Sequence, residues 1–184
     1  MNLLNNSQPN HCFIHMNSTQ KTMRILLLAI CLVTSMTVFA TDNAIDTSKL
    51  PDYSLSYNPD RDPFKDGHAA IALASKTNRR ILIEVGGSWC NWCHIMDQFL
   101  TDNPDIQTRL HQAFVVLKIN VSDKNDNSKF LSSFPRPLGY PHMYVAEMNG
   151  DVLLSKDTAD FLVNGRYSKQ KFLEFIEHWT LIKG

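Results

Sequence analysis

Apolar positions along this chain recur with two periods, one suited to helices and one to extended strands. Asp62-Pro63 reads as an N-cap followed by proline at the first helical position, and the alanine-rich run after it predicts a helix over roughly 63–77. The apolar run Arg80 to Gly86 predicts a strand. A helix follows from about Cys90 to Leu100, with Ile95, Met96, Phe99 and Leu100 on its apolar side. Pro104 ends it, and a further turn or two runs to Gln112. Ala113 to Val121 is strongly β-branched and predicts a second strand. A loop rich in Asp, Asn and Ser, with a short helix near 127–133, leads through Pro135–Pro141 into a strand at His142–Met148. Asn149-Gly150 is a strong hairpin signal, with Asp151–Ser155 as the returning strand. Ser168 caps a last amphipathic helix, on which Phe172, Phe175, Ile176 and Trp179 recur at helical spacing.

The order α-β-α-β-(α)-β-β-α predicts an α/β domain over 63–184: a mixed central β-sheet flanked by helices on both faces. Residues 41–62 are polar and punctuated by Pro51 and Pro59. They read as a linker carrying a short edge strand at Tyr53–Tyr57.

The first 40 residues carry a different pattern. Lys21 and Arg24 precede an uncharged apolar stretch, Ile25 to Ala40, which ends in small residues and is followed by polar Thr41-Asp42-Asn43. This is the pattern of a secretory signal peptide cleaved after about Ala40. The stretch is shorter than the roughly 18 residues of a spanning helix, so no stable membrane span is expected after cleavage; the alternative is an uncleaved anchor. The polar stretch before it is long for a leader, which leaves Met23 as an alternative start. The expected location is the periplasm or the exterior. Cleavage also removes Cys12 and Cys31, leaving Cys90 and Cys93 as the remaining thiols. In an oxidising compartment such a pair has itself as its natural partner. With a formal net charge of zero over 184 residues, the chain offers no electrostatic reason to expect nucleic acid.

The chemistry concentrates in Ser88-Trp89-Cys90-Asn91-Trp92-Cys93-His94. Two cysteines three apart at the start of a helix place their sulfurs one turn apart on one face, within disulfide-bonding range. The helix N-terminus favours a thiolate there, and Cys90, nearest that terminus, is favoured more. A disulfide closing so short a loop removes little unfolded-state entropy, so a purely structural staple is a poor explanation. Glu84, on a strand otherwise made of Ile, Leu and Val, is expected to be buried. A buried carboxylate resists ionisation and can exchange a proton with a buried thiol. Its alternative is a strand-end carboxylate paired with Arg79 or Arg80. Protonated His94 would favour the Cys90 thiolate, although a cation in a first helical turn opposes the dipole.

Strand, Trp-Cys-x-x-Cys, helix, strand, then a proline entering an Asn-Gly hairpin and a closing helix resembles the thioredoxin-like superfamily over about residues 63–182. Cys-x-Trp-Cys-His is closest to a secreted branch of that superfamily. The resemblance implies Cys90 as nucleophile and Cys93 as resolving thiol, and Glu84 as the proton-exchanging carboxylate. It also implies a cis peptide bond at Tyr140–Pro141, with Tyr140 offering backbone groups to an extended substrate. Trp89 and Trp92 are expected to shield the pair or touch substrate. The expected function is an exported thiol–disulfide oxidoreductase that needs no cofactor or metal, with disulfide-containing proteins as substrates and a redox partner protein. Asn91-Trp92 stands where thioredoxin has Gly-Pro, which leaves the direction of electron flow open.

Three other readings compete. A thioredoxin-like scaffold can bind clients near Tyr140 and Pro141 without catalysis. Cys-x-x-Cys-His also matches a c-type haem attachment site, but here it sits between a buried strand and a helix instead of on a free segment. Zinc could take Cys90, Cys93 and His94 with His68, His111, His142 or His178, none of which has motif spacing to the pair.

Overall fold

The computed structural model describes residues 46–181. The signal sequence expected over 1–40 lies outside them. Among the described residues, no helix is long and apolar enough to cross a membrane.

A short helix α1 (Asp52–Leu55) precedes α2 (Pro63–Thr77). The Asp62 carboxylate caps α2 by accepting from the backbone N–H groups of Phe64 at 2.9 Å and Lys65 at 3.3 Å. Asn78 ends it in the left-handed region, φ 50°, which asparagine tolerates. Strand β1 (Arg80–Gly86) leads to α3 (Asn91–Asp102) and, after Asn103, to α4 (Pro104–Ala113). Proline at the first position of α4 needs no hydrogen-bond donor, so a complete ten-residue helix forms where the sequence suggested only a turn or two. There follow β2 (Phe114–Asn120), the single turn α5 (Ser128–Leu131), β3 (His142–Ala146) and β4 (Val152–Asp157). Next come the two-residue strands β5 (Leu162–Val163) and β6 (Arg166–Tyr167), and the closing helix α6 (Lys169–Trp179), which Ser168 caps.

The main sheet runs β2-β1-β3-β4, with β1 parallel to β2 and the other pairs antiparallel. Alternation along β1 sorts two cores. Ile81, Ile83 and Val85 pack with Ala70 and Ala74 of α2. Leu82 packs on the opposite face with Met96, Leu100, Ile106, Leu110, Phe172 and Phe175 from α3, α4 and α6. A mixed sheet covered on both sides, with the cysteine pair at the β1–α3 junction, is the thioredoxin-like fold.

Two segments depart from expectation. The proposed edge strand at Tyr53–Tyr57 is instead α1 and the coil after it, and two residues of the segment read as a linker, Tyr53 and Ser54, are buried. Tyr53 is buried in the α2-side core, and the Ser54 hydroxyl donates to the Val116 carbonyl at 2.5 Å. Because β2 is the sheet's edge strand, this bond satisfies a carbonyl that would otherwise stand open. The second departure is the β5–β6 hairpin, which had not been expected. Its turn holds Asn164 at φ 51° and Gly165 at φ 74°, the left-handed pair that tight hairpins require.

Candidate active site

Cys90 is the N-cap of α3. Its sulfur accepts from the Cys93 backbone N–H at 3.1 Å and is joined to the Cys93 sulfur, with Cα atoms 5.2 Å apart. When the bond is open, that same N–H and the dipole of a twelve-residue helix stabilise a Cys90 thiolate. Both residues are buried, Cys90 4% and Cys93 1% exposed.

The approach of β1 to this pair depends on Gly86. A Cβ there would stand 2.6 Å from Cys93 Sγ and 2.9 Å from the Tyr57 hydroxyl. No side chain fits: the sulfur and the phenol hydroxyl border the same space beside the bare Gly86 backbone. Tyr57 donates a hydrogen bond to Glu84 Oε1. Glu84 is 1% exposed and its Oε2 has no protein partner. Neither Arg79 nor Arg80 pairs with it: Arg79 donates to the carbonyls of His111 and Phe114, and Arg80 pairs with Glu147 at 3.0 Å.

The cation that does approach is Lys118, register partner of Glu84 on β2. Its Nζ lies 3.7 Å from Glu84 Oε1 and 2.5 Å from Asp97 Oδ1 of α3. Burial raises the Glu84 pKa above the usual carboxylate range; Lys118 opposes this and Asp97 reinforces it. Burial disfavours the Lys118 ammonium, but the two carboxylates outweigh it and hold Lys118 charged. Burial and the adjacent Glu84 push the Tyr57 phenol well above its ordinary value. A cavity of about 160 Å³ lies beneath α1, lined by Ser54, Leu55, Glu84, Asp97, His111 and Lys118.

Around the sulfurs stands an aromatic rim. Trp89 donates from its indole N–H to the Val121 carbonyl at 2.5 Å and meets Tyr140 edge-on, ring centroids 5.5 Å apart. That contact sets the Tyr140–Pro141 bond, which is cis, beside the cysteine segment. Trp92 meets Tyr167 of β6 at 6.0 Å, also edge-on. His94 folds back onto the Ser88 carbonyl at 2.7 Å, a contact directed at backbone and not at a sulfur. The four histidines weighed as zinc ligands lie on separate elements: His68 on α2, His111 on α4, His142 on β3 and His178 on α6. Among the described residues no cluster of three or more His, Cys, Asp or Glu side chains is arranged to hold a metal ion.

The fold thus gathers Cys90, Cys93, Glu84, Trp89, Trp92, Tyr140 and Pro141 at one end of the sheet. Sequence reasoning missed Tyr57, Lys118, Asp97 and Tyr167. A lone lysine in the β-branched run Phe114–Ile119 was a readable signal for a buried charge pair. Tyr57 had none, because nothing local ties it to a carboxylate 27 positions away.

A family model described as "Thioredox_DsbH: Protein of unknown function, DUF255" matches residues 53–168. Spermatogenesis-associated protein 20 of Homo sapiens is 34% identical over 79 residues, 43% of this chain and 10% of that protein. The Rattus norvegicus protein of the same name is 32% identical over 96 residues, 51% of this chain and 12% of its own length. The chain therefore spans about a tenth of the curated relatives it matches. Among solved structures, one described as the disulphide isomerase from Xylella fastidiosa Temecula1 aligns with a TM-score of 0.56 and 24% identity, covering 70% of this chain and 95% of that one. Its likeness is one of fold. The family match begins at Tyr53, inside α1, and takes in Tyr57 and Glu84 together with the cysteine pair and the cis proline; the chain belongs to the Thioredox_DsbH family.

Proposed function

We propose that this protein is an exported thiol–disulfide oxidoreductase, cycling between the Cys90–Cys93 disulfide and the dithiol. One observation carries the reading: the disulfide stands at a helix N-terminus, and the Tyr57 hydroxyl beside it holds a buried carboxylate, Glu84, whose cationic neighbour Lys118 stands 3.7 Å away and closer to Asp97. The helix terminus stabilises the attacking thiolate, and the carboxylate exchanges a proton with the deeper sulfur.

In the reductive direction the Cys90 thiolate attacks a substrate disulfide, forming a mixed disulfide and releasing one substrate thiolate. Cys93 gives up its proton and attacks Cys90 Sγ, closing the internal disulfide and releasing the second substrate thiol. Two electrons pass from the dithiol to the substrate, and a redox partner restores the dithiol by the reverse exchange. Tyr140 and Pro141 present backbone to an extended client segment, while Trp89 and Trp92 cover the reacting sulfurs. The fold shared with a solved disulphide isomerase accords with this role.

Mass spectrometry before and after mild reductant tests the reading: the protein should gain two hydrogens, and Cys93→Ser should trap clients as mixed disulfides while Cys90→Ser traps none. Turnover of a disulfide substrate by Cys90→Ser would refute it. The equilibrium potential against glutathione, followed through tryptophan fluorescence, assigns direction: a strongly negative value makes a reductase, a high one an oxidase or isomerase.

A further inference from the structure

Tyr57 belongs to no motif of the cysteine segment, yet its hydroxyl touches Glu84 and borders the same small space beside Gly86 as Cys93 Sγ. It donates to Glu84 Oε1, and it and Cys93 Sγ both border the space that a Cβ on Gly86 would fill, 2.9 Å and 2.6 Å from that position. Glu84 itself has no direct hydrogen bond to either cysteine: its partner on the sulfur side is Tyr57. We propose that the Tyr57 hydroxyl carries the proton between the Cys93 thiol and the Glu84 carboxylate, so that the segment after α1 is part of the redox site.

The step balances. As Cys93 attacks the mixed disulfide at Cys90, its S–H proton passes to the Tyr57 oxygen while the Tyr57 O–H proton passes to Glu84 Oε1. A Cys93–Cys90 bond forms, the bond from Cys90 to the client breaks, and the client leaves as a thiolate. Tyr57 is a neutral phenol before and after. The reverse transfer protonates Cys93 when the internal disulfide is reduced. A phenol with one donor and two acceptor sites suits a relay that accepts on one side while donating on the other. The elevated phenol pKa fits this role, since tyrosinate need never accumulate. The groups facing this path are Glu84 on β1, Lys118 on β2 with Nζ 5.0 Å from the Tyr57 ring centre, Asp97 on α3, His111 on α4 and Tyr167 on β6. Glu84 also lines the cavity of about 160 Å³ under α1, which mixes polar Ser54, Asp97, His111 and Lys118 with apolar side chains and is of a size that suits water.

The inference rests on the dithiol–disulfide reading above, and its test separates the two. Reduced full-length protein is mixed rapidly with a small aromatic disulfide, which releases one coloured thiolate on attack by Cys90 and a second on resolution by Cys93. Absence of both phases in the wild type would end the redox reading, and this inference with it. With both phases present, Tyr57→Phe is expected to leave the first unchanged and slow the second by about tenfold or more. It is also expected to remove the pH inflection that Glu84 gives that phase. Glu84→Gln should do the same, and the double variant should be no slower than the slower single one, as expected of two members of one path. A second phase that keeps its rate and inflection in Tyr57→Phe, or single effects that multiply in the double variant, would overturn the proposal. If Tyr57→Phe does not fold, the wild type decides. A resolution rate that bows with deuterium fraction marks two protons in flight, and a straight line rejects the relay.

Discussion

Lys118 Nζ lies 2.5 Å from Asp97 Oδ1 but 3.7 Å from Glu84 Oε1, although Glu84, not Asp97, is its register partner in the sheet. The closer ion pair forms with the more exposed carboxylate, and the deeper one stays poorly compensated. The consequence is a buried acid that resists losing its proton, within one phenol of the sulfur that must lose one.

That arrangement has a sign for stability. Because Glu84 binds its proton more tightly folded than unfolded, its favourable contribution is full below the unfolded value of 4.5 and is lost as pH rises through the raised folded value. Glu84→Gln, which has no proton to lose, is therefore expected to stabilise the protein at pH 8 relative to pH 5, while slowing resolution. Urea melts of both proteins at pH 5 and pH 8 check it, with the gain confined to the higher pH.

Gly86 is expected to tolerate no side chain. Gly86→Ala places a methyl 2.6 Å from Cys93 Sγ and 2.9 Å from the Tyr57 hydroxyl, and overpacking of this kind costs about 1–3 kcal/mol. Denaturant unfolding of the oxidised proteins gives the number, and the same variant should separate thiol from phenol and slow the second thiolate release.

His111, 7% exposed, is held neutral: burial first, then Arg79 and Lys118, lower its pKa from 6.5 to about 4. The unfolded chain binds this proton more readily, so the contribution is whole above pH 6.5 and declines as pH falls toward 4. About 3 kcal/mol is at stake across that window. His111→Gln should flatten the acid limb of a stability–pH curve between those limits.

Ser54→Ala removes the donor to the Val116 carbonyl on the edge strand. Leaving that carbonyl without its partner is expected to cost about 1–2 kcal/mol in thermal or urea unfolding. Backbone amides of β2 should then exchange hydrogen faster, while those of β3 are unaffected.

The sequence carried the elements whose signals are local. Asp62-Pro63 marks the start of α2, the apolar run 80–86 coincides with β1, and Ser168 begins α6. What escaped was decided at a distance. Tyr53-Ser54-Leu55-Ser56-Tyr57 alternates with the period of a strand, yet it coils as α1 and the turn after it because Tyr53 and Ser54 dock on a sheet edge some 60 residues away. The Asn164-Gly165 turn carried a hairpin signal, but two-residue strands offer no period to read. The site divided in the same way. Cys90, Cys93 and Glu84 lie within ten residues of one another, whereas Tyr57 and Lys118 come from elements that only the folded sheet brings beside them.

The aromatic rim sets a limit on what can be handled. Trp89 pairs with Tyr140 and Trp92 with Tyr167 beside the cysteine segment, and Cys90 and Cys93 are nearly covered. If the proposed disulfide exchange holds, a cystine lying flush in a flat, well-ordered protein face would meet these rings before it reached Cys90. On the function proposed above, a client would offer its disulfide on a thin protruding loop or in a stretch that has already come undone, which favours unfinished or damaged chains over intact ones.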